Sequence, residues 1–149
     1  MSETGNPFPE QRTAVVTGCG APAGIGRHVA RRLALSGYNI AAVDINPAVA
    51  DFAAELAAEF TEQKTIGVVC NIADEASVNA AWQRIDAELP QVVGLANVAG
   101  IACPTPLLEL AVDEFDKVMG VNARGTMLMM QYGARRMIQA GVGRIANFS

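Results

Sequence analysis

TAVVTGCGAPAGIGRHVARRLALSG, residues 13–37, passes from a run of small and branched apolar residues through a glycine-rich turn into a helix-forming segment. TAVVTG (Thr13–Gly18) has the composition of a strand covered on both faces. In the turn, Gly20, Gly24 and Gly26 satisfy GxxxGxG, while Gly18, Gly20 and Ala23 satisfy GxGxxA. Either frame answers the same demand. Glycines permit a tight turn and let backbone approach a pyrophosphate closely, at the free amides of a helix N-terminus. A glycine-rich turn can equally be purely structural. Its place between a strand and a helix with an expected apolar face of Ile25, Val29 and Leu33 raises a dinucleotide site above that reading. No GK[ST] follows, which excludes a phosphate-transferring P-loop.

Outward from this unit, four more runs read as strands: NIAAVD (Asn39–Asp44), TIGVVC (Thr65–Cys70), VVGLAN (Val92–Asn97) and RIANFS (Arg144–Ser149). Between them Val49, Phe52, Ala53, Leu56, Ala57 and Phe60 recur at helical spacing, as do Val78, Ala81, Trp82, Ile85 and Leu89. Charges lie opposite each stripe: Asp51, Glu55 and Glu59 on one helix, Arg84 and Glu88 on the other. Asn46-Pro47 and Asp74 suit helix starts, and Pro90 stops the second helix. Such alternation requires right-handed crossovers and a parallel sheet. The fold expected is α/β: a Rossmann-like doubly wound parallel sheet in strand order 3-2-1-4-5, ending after the fifth strand. Ligands of such sheets bind beyond the carboxyl ends of the strands near the switch point, here just after Gly18, Asp44, Cys70 and Asn97.

The 149 residues fit one domain, taken as residues 12–149 behind a loose polar arm of residues 1–11. Apolar residues make up 51% and charged ones 17%, enough for a core and too apolar for a disordered chain. The net charge of −4 argues against nucleic acid, which needs a basic face. Cys19, Cys70 and Cys103 lie far apart with no CxxC, so reduced thiols in a cytoplasmic protein are expected, with neither disulfides nor a metal site. MSETGNPFPEQ has no basic-then-apolar pattern, so no signal segment is expected. The uncharged stretch Leu89–Leu108 is broken by three prolines, two glycines and an asparagine, so no membrane span is expected.

Asp44 closes the second strand 20 residues after Gly24, where a carboxylate can accept both hydroxyls of an adenosine ribose. A helix N-cap is the plainer role, but Asn46 already offers one. A carboxylate there repels a 2′-phosphate, no Arg or Lys adjoins it, and Ala23 before the helix glycine is uncharged. NAD(H) is therefore expected over NADP(H).

With the glycine motif, Asp44, CNIADEASV after strand three, LANVAGIA after strand four, GVNARGTM and the final GRIANFS, the chain from about Arg12 onward resembles the short-chain dehydrogenase/reductase family. The resemblance implies an NAD(H)-dependent oxidoreductase passing hydride between nicotinamide and an alcohol or ketone, a small-molecule partner, and a homo-oligomer. It places Asn71 where the family binds the adenine amine with Asp, although a strand-end turn is an equal role for it. Asn97, Ala99 and Gly100 match the family's NNAG turn, with Val98 in place of its second Asn. Asn122 matches the asparagine that bends a helix and anchors a water of the proton relay, the one catalytic assignment. The cofactor-binding set is Gly18, Gly20, Gly24, Ile25, Gly26, Asp44, Ile45, Asn71, Ile72, Asn97, Ala99 and Gly100. Thr17-Gly18 follows the strand directly, yet the family's glycine spacing begins at Gly20. Either two residues are inserted, or Cys19-Gly20 takes the Thr-Gly place.

In the family a Ser, and a Tyr with a Lys four residues later, perform the acid–base work after strand five. They are expected beyond Ser149, with a longer natural protein and a marginal 149-residue piece whose fifth strand is a bare edge. Tyr132 has Arg136 four residues on, but on a Met-rich helix before strand five, where helix surface is expected. Met127, Met129, Met130 and Met137 on that helix read as core packing, and His28 as a solvated helix residue. Two rivals remain: a non-catalytic NAD(H)-binding sensor, and a methyltransferase, which explains neither NVAG nor VNARG.

Overall fold

A computed structural model describes residues 7–149. The order is β1 (Thr13–Thr17), α1 (Ile25–Leu35), β2 (Asn39–Asp44), α2 (Val49–Glu59), β3 (Thr65–Val69), α3 (Glu75–Glu88), β4 (Val92–Asn97), α4 (Val112–Met119), α5 (Thr126–Ala140) and β5 (Arg144–Asn147). A π-helical segment, Gly120–Gly125, joins α4 to α5. The five strands form one parallel sheet in the order β3-β2-β1-β4-β5, as the strand-helix alternation demanded.

Successive side chains of a strand point to opposite faces, and both faces here are covered. Val15, Ala41 and Val43 enter a core with Trp82, Ile85, Val78 and Met129 beneath α3 and α5. Their neighbours Ala14, Val16, Ile40 and Ala42 enter the other, with Phe52, Leu56, Ala30 and Ala34 beneath α1 and α2. The stripe expected on α3 is buried throughout, and the Asp74 carboxylate caps that helix by accepting from the Ser77 amide at 3.2 Å. Asn46 acts one turn before α2, its Oδ1 accepting from the Ala48 amide at 3.0 Å.

Helix α1 differs from the expected stripe. Gly26, Arg27, Ala30 and Ala34 are buried, Val29 and Leu33 are half-buried, and Ile25 is exposed. The buried face is offset because small residues let α1 lie close on the sheet, and Arg27 finds polar partners inside. The Tyr132–Arg136 pair also departs from plain helix surface. The Arg136 guanidinium pairs with Asp86 and lies 4.7 Å over the Trp82 ring, and Tyr132 packs against the core. Of the methionines, Met129 and Met137 are buried and Met127 is exposed. His28 is exposed. β5 is an edge strand whose four residues are all exposed. Of the arm expected at 1–11, residues 1–6 lie outside the described residues. Phe8 makes an edge contact with Tyr38, their ring centroids 6.4 Å apart. Among the described residues no helix is long and apolar enough to cross a membrane, and no cluster of ligating side chains could hold a metal.

Candidate functional site

A crevice of about 500 Å³ opens at the carboxyl ends of β1, β2, β3 and β4, where the strand order reverses. It gathers nine of the expected residues in one wall: Gly18, Gly24, Ile25, Asp44, Ile45, Asn71, Ile72, Ala99 and Gly100. Gly20, Gly26, Asn97 and Asn122 stand outside that lining. Gly20, Gly26 and Asn122 are nonetheless tied to it.

Thr17 ties the glycine turn to the neighbouring strand end. Its hydroxyl accepts from the amides of Val98 and Ala99, both at 3.0 Å, which fastens the end of β1 to the turn after β4. Gly18 follows with φ +78 and lies so near Ala99 that a Cβ would meet its nitrogen at 2.9 Å. Thr17-Gly18 therefore forms the tight turn that leaves β1, and five residues separate Gly18 from Gly24. Gly26 closes the turn from the helix side: a Cβ there would stand 2.3 Å from the Gly18 carbonyl oxygen. That contact is why Gly26 supports the crevice without lining it.

Cys19 and Gly20 fold toward β2. The Cys19 amide donates to the Val43 carbonyl at 3.3 Å, and the Gly20 amide donates to Asp44 Oδ2 at 2.7 Å. The other oxygen of Asp44 accepts from the Asn46 amide at 2.8 Å. A carboxylate has about four acceptor positions, so two amide donors orient Asp44 and leave room for two hydroxyls. Cys19 itself is buried, its thiol pushed up to about 12 chiefly by burial. Burial likewise raises the thiol of Cys70, which lines the crevice.

Asn71 reaches the crevice, but its Oδ1 already accepts from the Ala73 amide at 3.1 Å, so the strand-end turn role is realised. Asn97 points elsewhere. It is buried, donates from Nδ2 to Asn147 Oδ1 at 2.9 Å, and so fastens β4 to β5. Asn122 lies in the π-helical segment and clasps the backbone of Ile101 through its carboxamide. Neither Tyr38 nor Tyr132 lines the crevice.

Three residues were invisible to the sequence reading. Lys117 and Val121 reach the crevice from the path of α4, more than 70 residues after Asp44, and nothing local signals their arrival. Arg27 directly follows the last glycine of the motif and is buried, donating to the carbonyls of Cys19 and Gly20. Its position inside an apolar-flanked helix start was the available signal.

The wall fits a nucleotide cofactor on its own chemistry. Ile45 and Ile25 keep most of their apolar surface exposed at the mouth, suited to a flat base. Asp44 has spare acceptors, and the positive-φ turn at Gly18 with the start of α1 offers close backbone approach.

A family model described as short chain dehydrogenase matches residues 12–149. The chain is 39% identical over 139 residues to D-threitol dehydrogenase of Mycolicibacterium smegmatis, covering 93% of this chain and 52% of that protein. It is 31% identical over 138 residues to the NAD-dependent glycerol dehydrogenase of Listeria innocua, covering 93% and 52%. A metagenomic short-chain oxidoreductase solved in complex with NADP superposes with a TM-score of 0.83 at 25% identity, covering 97% of this chain and 64% of that one. The chain spans about half the length of the curated relatives it matches.

Proposed function

The chain belongs to the short-chain dehydrogenase family, and from that membership we propose that residues 12–149 form the nucleotide-binding domain of an oxidoreductase that prefers NAD(H) to NADP(H). The observation that carries the preference is Asp44, held at the end of β2 by the amides of Gly20 and Asn46 with acceptors to spare. It would receive the adenosine ribose hydroxyls and repel a 2′-phosphate. The bound nicotinamide would supply hydride transfer to or from an alcohol or ketone carbon. Relatives named for threitol and glycerol support a hydroxyl-bearing small molecule.

In this reading Gly18, Gly24 and the first turn of α1 approach the diphosphate, with Gly20 and Gly26 shaping that turn. Ile25, Ile45 and Ile72 flank the base, with Asn71 at its edge. Ala99 and Gly100 meet the second ribose, supported by Asn97 behind them. Asn122 holds the turn after β4 and supports the proton relay. The protein is read as cytoplasmic and homo-oligomeric, the latter supported by Val112, Phe115 and Met119, which α4 leaves exposed.

Fluorescence titration of the full-length protein with NADH and NADPH tests the reading. The expected outcome is NADH tighter by about tenfold or more, the scale of one charge-assisted contact, with Asp44→Ala erasing most of the difference. Tighter NADPH, or no binding of either, overturns it.

A further inference from the structure

Arg27 is buried with its side chain about 10% exposed, and it has no bidentate carboxylate partner; Glu55 Oε2 stands at 4.0 Å from Nη1 and is itself more than half exposed. Burying a guanidinium is costly unless hydrogen bonds replace its water. Here they come from the backbone. Nε donates to the Cys19 carbonyl at 3.0 Å and Nη2 to the Gly20 carbonyl at 3.1 Å. The guanidinium also lies 4.7 Å over the Phe52 ring, which fixes its plane.

The Cys19 carbonyl and the Gly20 amide belong to one peptide group. That group is planar and stiff, so its two ends cannot be aimed independently. One end accepts from Arg27 Nε at 3.0 Å, and the other donates to Asp44 Oδ2 at 2.7 Å. A cation and an anion 17 positions apart are thus joined through a single peptide plane. Pulling on the oxygen polarises the N–H and strengthens its bond to the carboxylate. The space is closed to other arrangements, because a Cβ on Gly20 would meet Asp44 Cγ at 2.6 Å and Asn46 Cβ at 2.9 Å.

We infer that Arg27 is a positioning residue for cofactor selectivity: through the Cys19–Gly20 peptide it fixes the Asp44 carboxylate in the orientation that receives an adenosine 2′,3′-diol. The inference rests on the proposed NAD(H) reading and deepens it. The Cys19–Gly20 peptide makes this link, so selectivity resides in the pair with its bridge and not in Asp44 alone. A ligand carrying a 2′-phosphate cannot use the carboxylate and gains nothing from its orientation.

The test is a set of NADH and NADPH dissociation constants for the full-length protein and its Arg27→Lys, Arg27→Met, Asp44→Ala and doubly substituted Asp44→Ala/Arg27→Met forms. Circular dichroism melts identify which forms fold. For Arg27→Met, NADH should weaken about tenfold, the scale of one hydrogen bond to a charged group, while NADPH stays within about twofold of wild type. Arg27→Lys, which can serve only part of the fork, should fall between; if Arg27→Met does not fold, the lysine form carries the test. On the Asp44→Ala background, Arg27→Met should leave the NADH:NADPH ratio unchanged, the mark of two residues acting as one. An unchanged ratio in the folded Arg27 forms, equal weakening of both cofactors, or a further fall of the ratio without Asp44 overturns the inference and leaves the NAD(H) reading standing. A wild-type protein that binds neither cofactor, or NADPH more tightly, overturns that reading and this inference with it.

Discussion

Asn122 and Ile101 close a two-way clasp: the carboxamide accepts from the Ile101 amide at 2.9 Å and donates to the Ile101 carbonyl at 2.8 Å. The backbone after β4 therefore has its shape set from a helix 21 positions later. Thr126 adds a brace, its hydroxyl donating to the Asn122 carbonyl at 2.9 Å.

Replacing Asn122 with Ala removes both arms of the clasp. Because the side chain is exposed, water replaces them, and the global cost should be only about 1 kcal/mol. The local effect is larger. Hydrogen exchange of the Ile101 amide should accelerate about tenfold while amides of β1 and β2 stay protected. Unchanged exchange at Ile101 would contradict the role given to the clasp.

Thr17 is fully buried and serves two amides with one oxygen. Thr17→Val keeps the shape and strands both donors, at about 1–3 kcal/mol each. Urea unfolding should show a loss of at least about 2 kcal/mol. Thr17→Ser retains the acceptor and should lose less than about 1.5 kcal/mol, mostly from the missing methyl.

Gly26→Ala would set a methyl carbon 2.3 Å from the Gly18 oxygen, against backbone that cannot swing aside. One terminus must move, either that of β1 or that of α1. Overpacking of this kind costs about 1–3 kcal/mol, and a thermal melt should show the drop. NADH binding should weaken beyond what the melt accounts for, since the displaced turn is the one proposed to meet the diphosphate.

Cys19 makes stability depend on alkaline pH. Its thiol is raised to about 12 in the folded protein against an ordinary 9.0. The folded state thus keeps the proton where the unfolded state has lost it. Stability from this group is fully present below pH 9 and declines between 9 and 12, by about 1.4 kcal/mol per pH unit. Cys19→Ala should flatten that decline when unfolding is followed from pH 8 to 10.5. Iodoacetamide on the native protein should label the half-buried Cys103 before Cys19 or Cys70, both buried.

The strands were legible because each is a short apolar run, and a sheet covered on both faces asks for nothing subtler. Asp44 was legible for a similar reason: its distance from the glycines is a property of the chain. Arg27 was not, since a charge at a helix start normally reads as surface. The Cys19 and Gly20 carbonyls, with the Phe52 ring, make the interior tolerable to it. Spacing alone leaves the glycine register open, because Gly18 and Gly20 each follow a small residue at the end of the strand. Hydrogen bonds from the turn after β4 reach Thr17, which no spacing in the sequence announces. Lys117 and Val121 depend on where α4 is carried by the loop before it, which no periodicity encodes.

The π-helical segment Gly120–Gly125 carries a different lesson. Val112, Phe115 and Met119 before it face outward, whereas Leu128, Met129 and Met137 after it are buried. Each residue advances a helix by about 100°, so the wide turn works as a phase shifter between two otherwise continuous rods. Winding the same residues as plain α-helix would turn everything after them by about 100°, and Leu128, Met129 and Met137 could then no longer face the sheet while α4 kept its place.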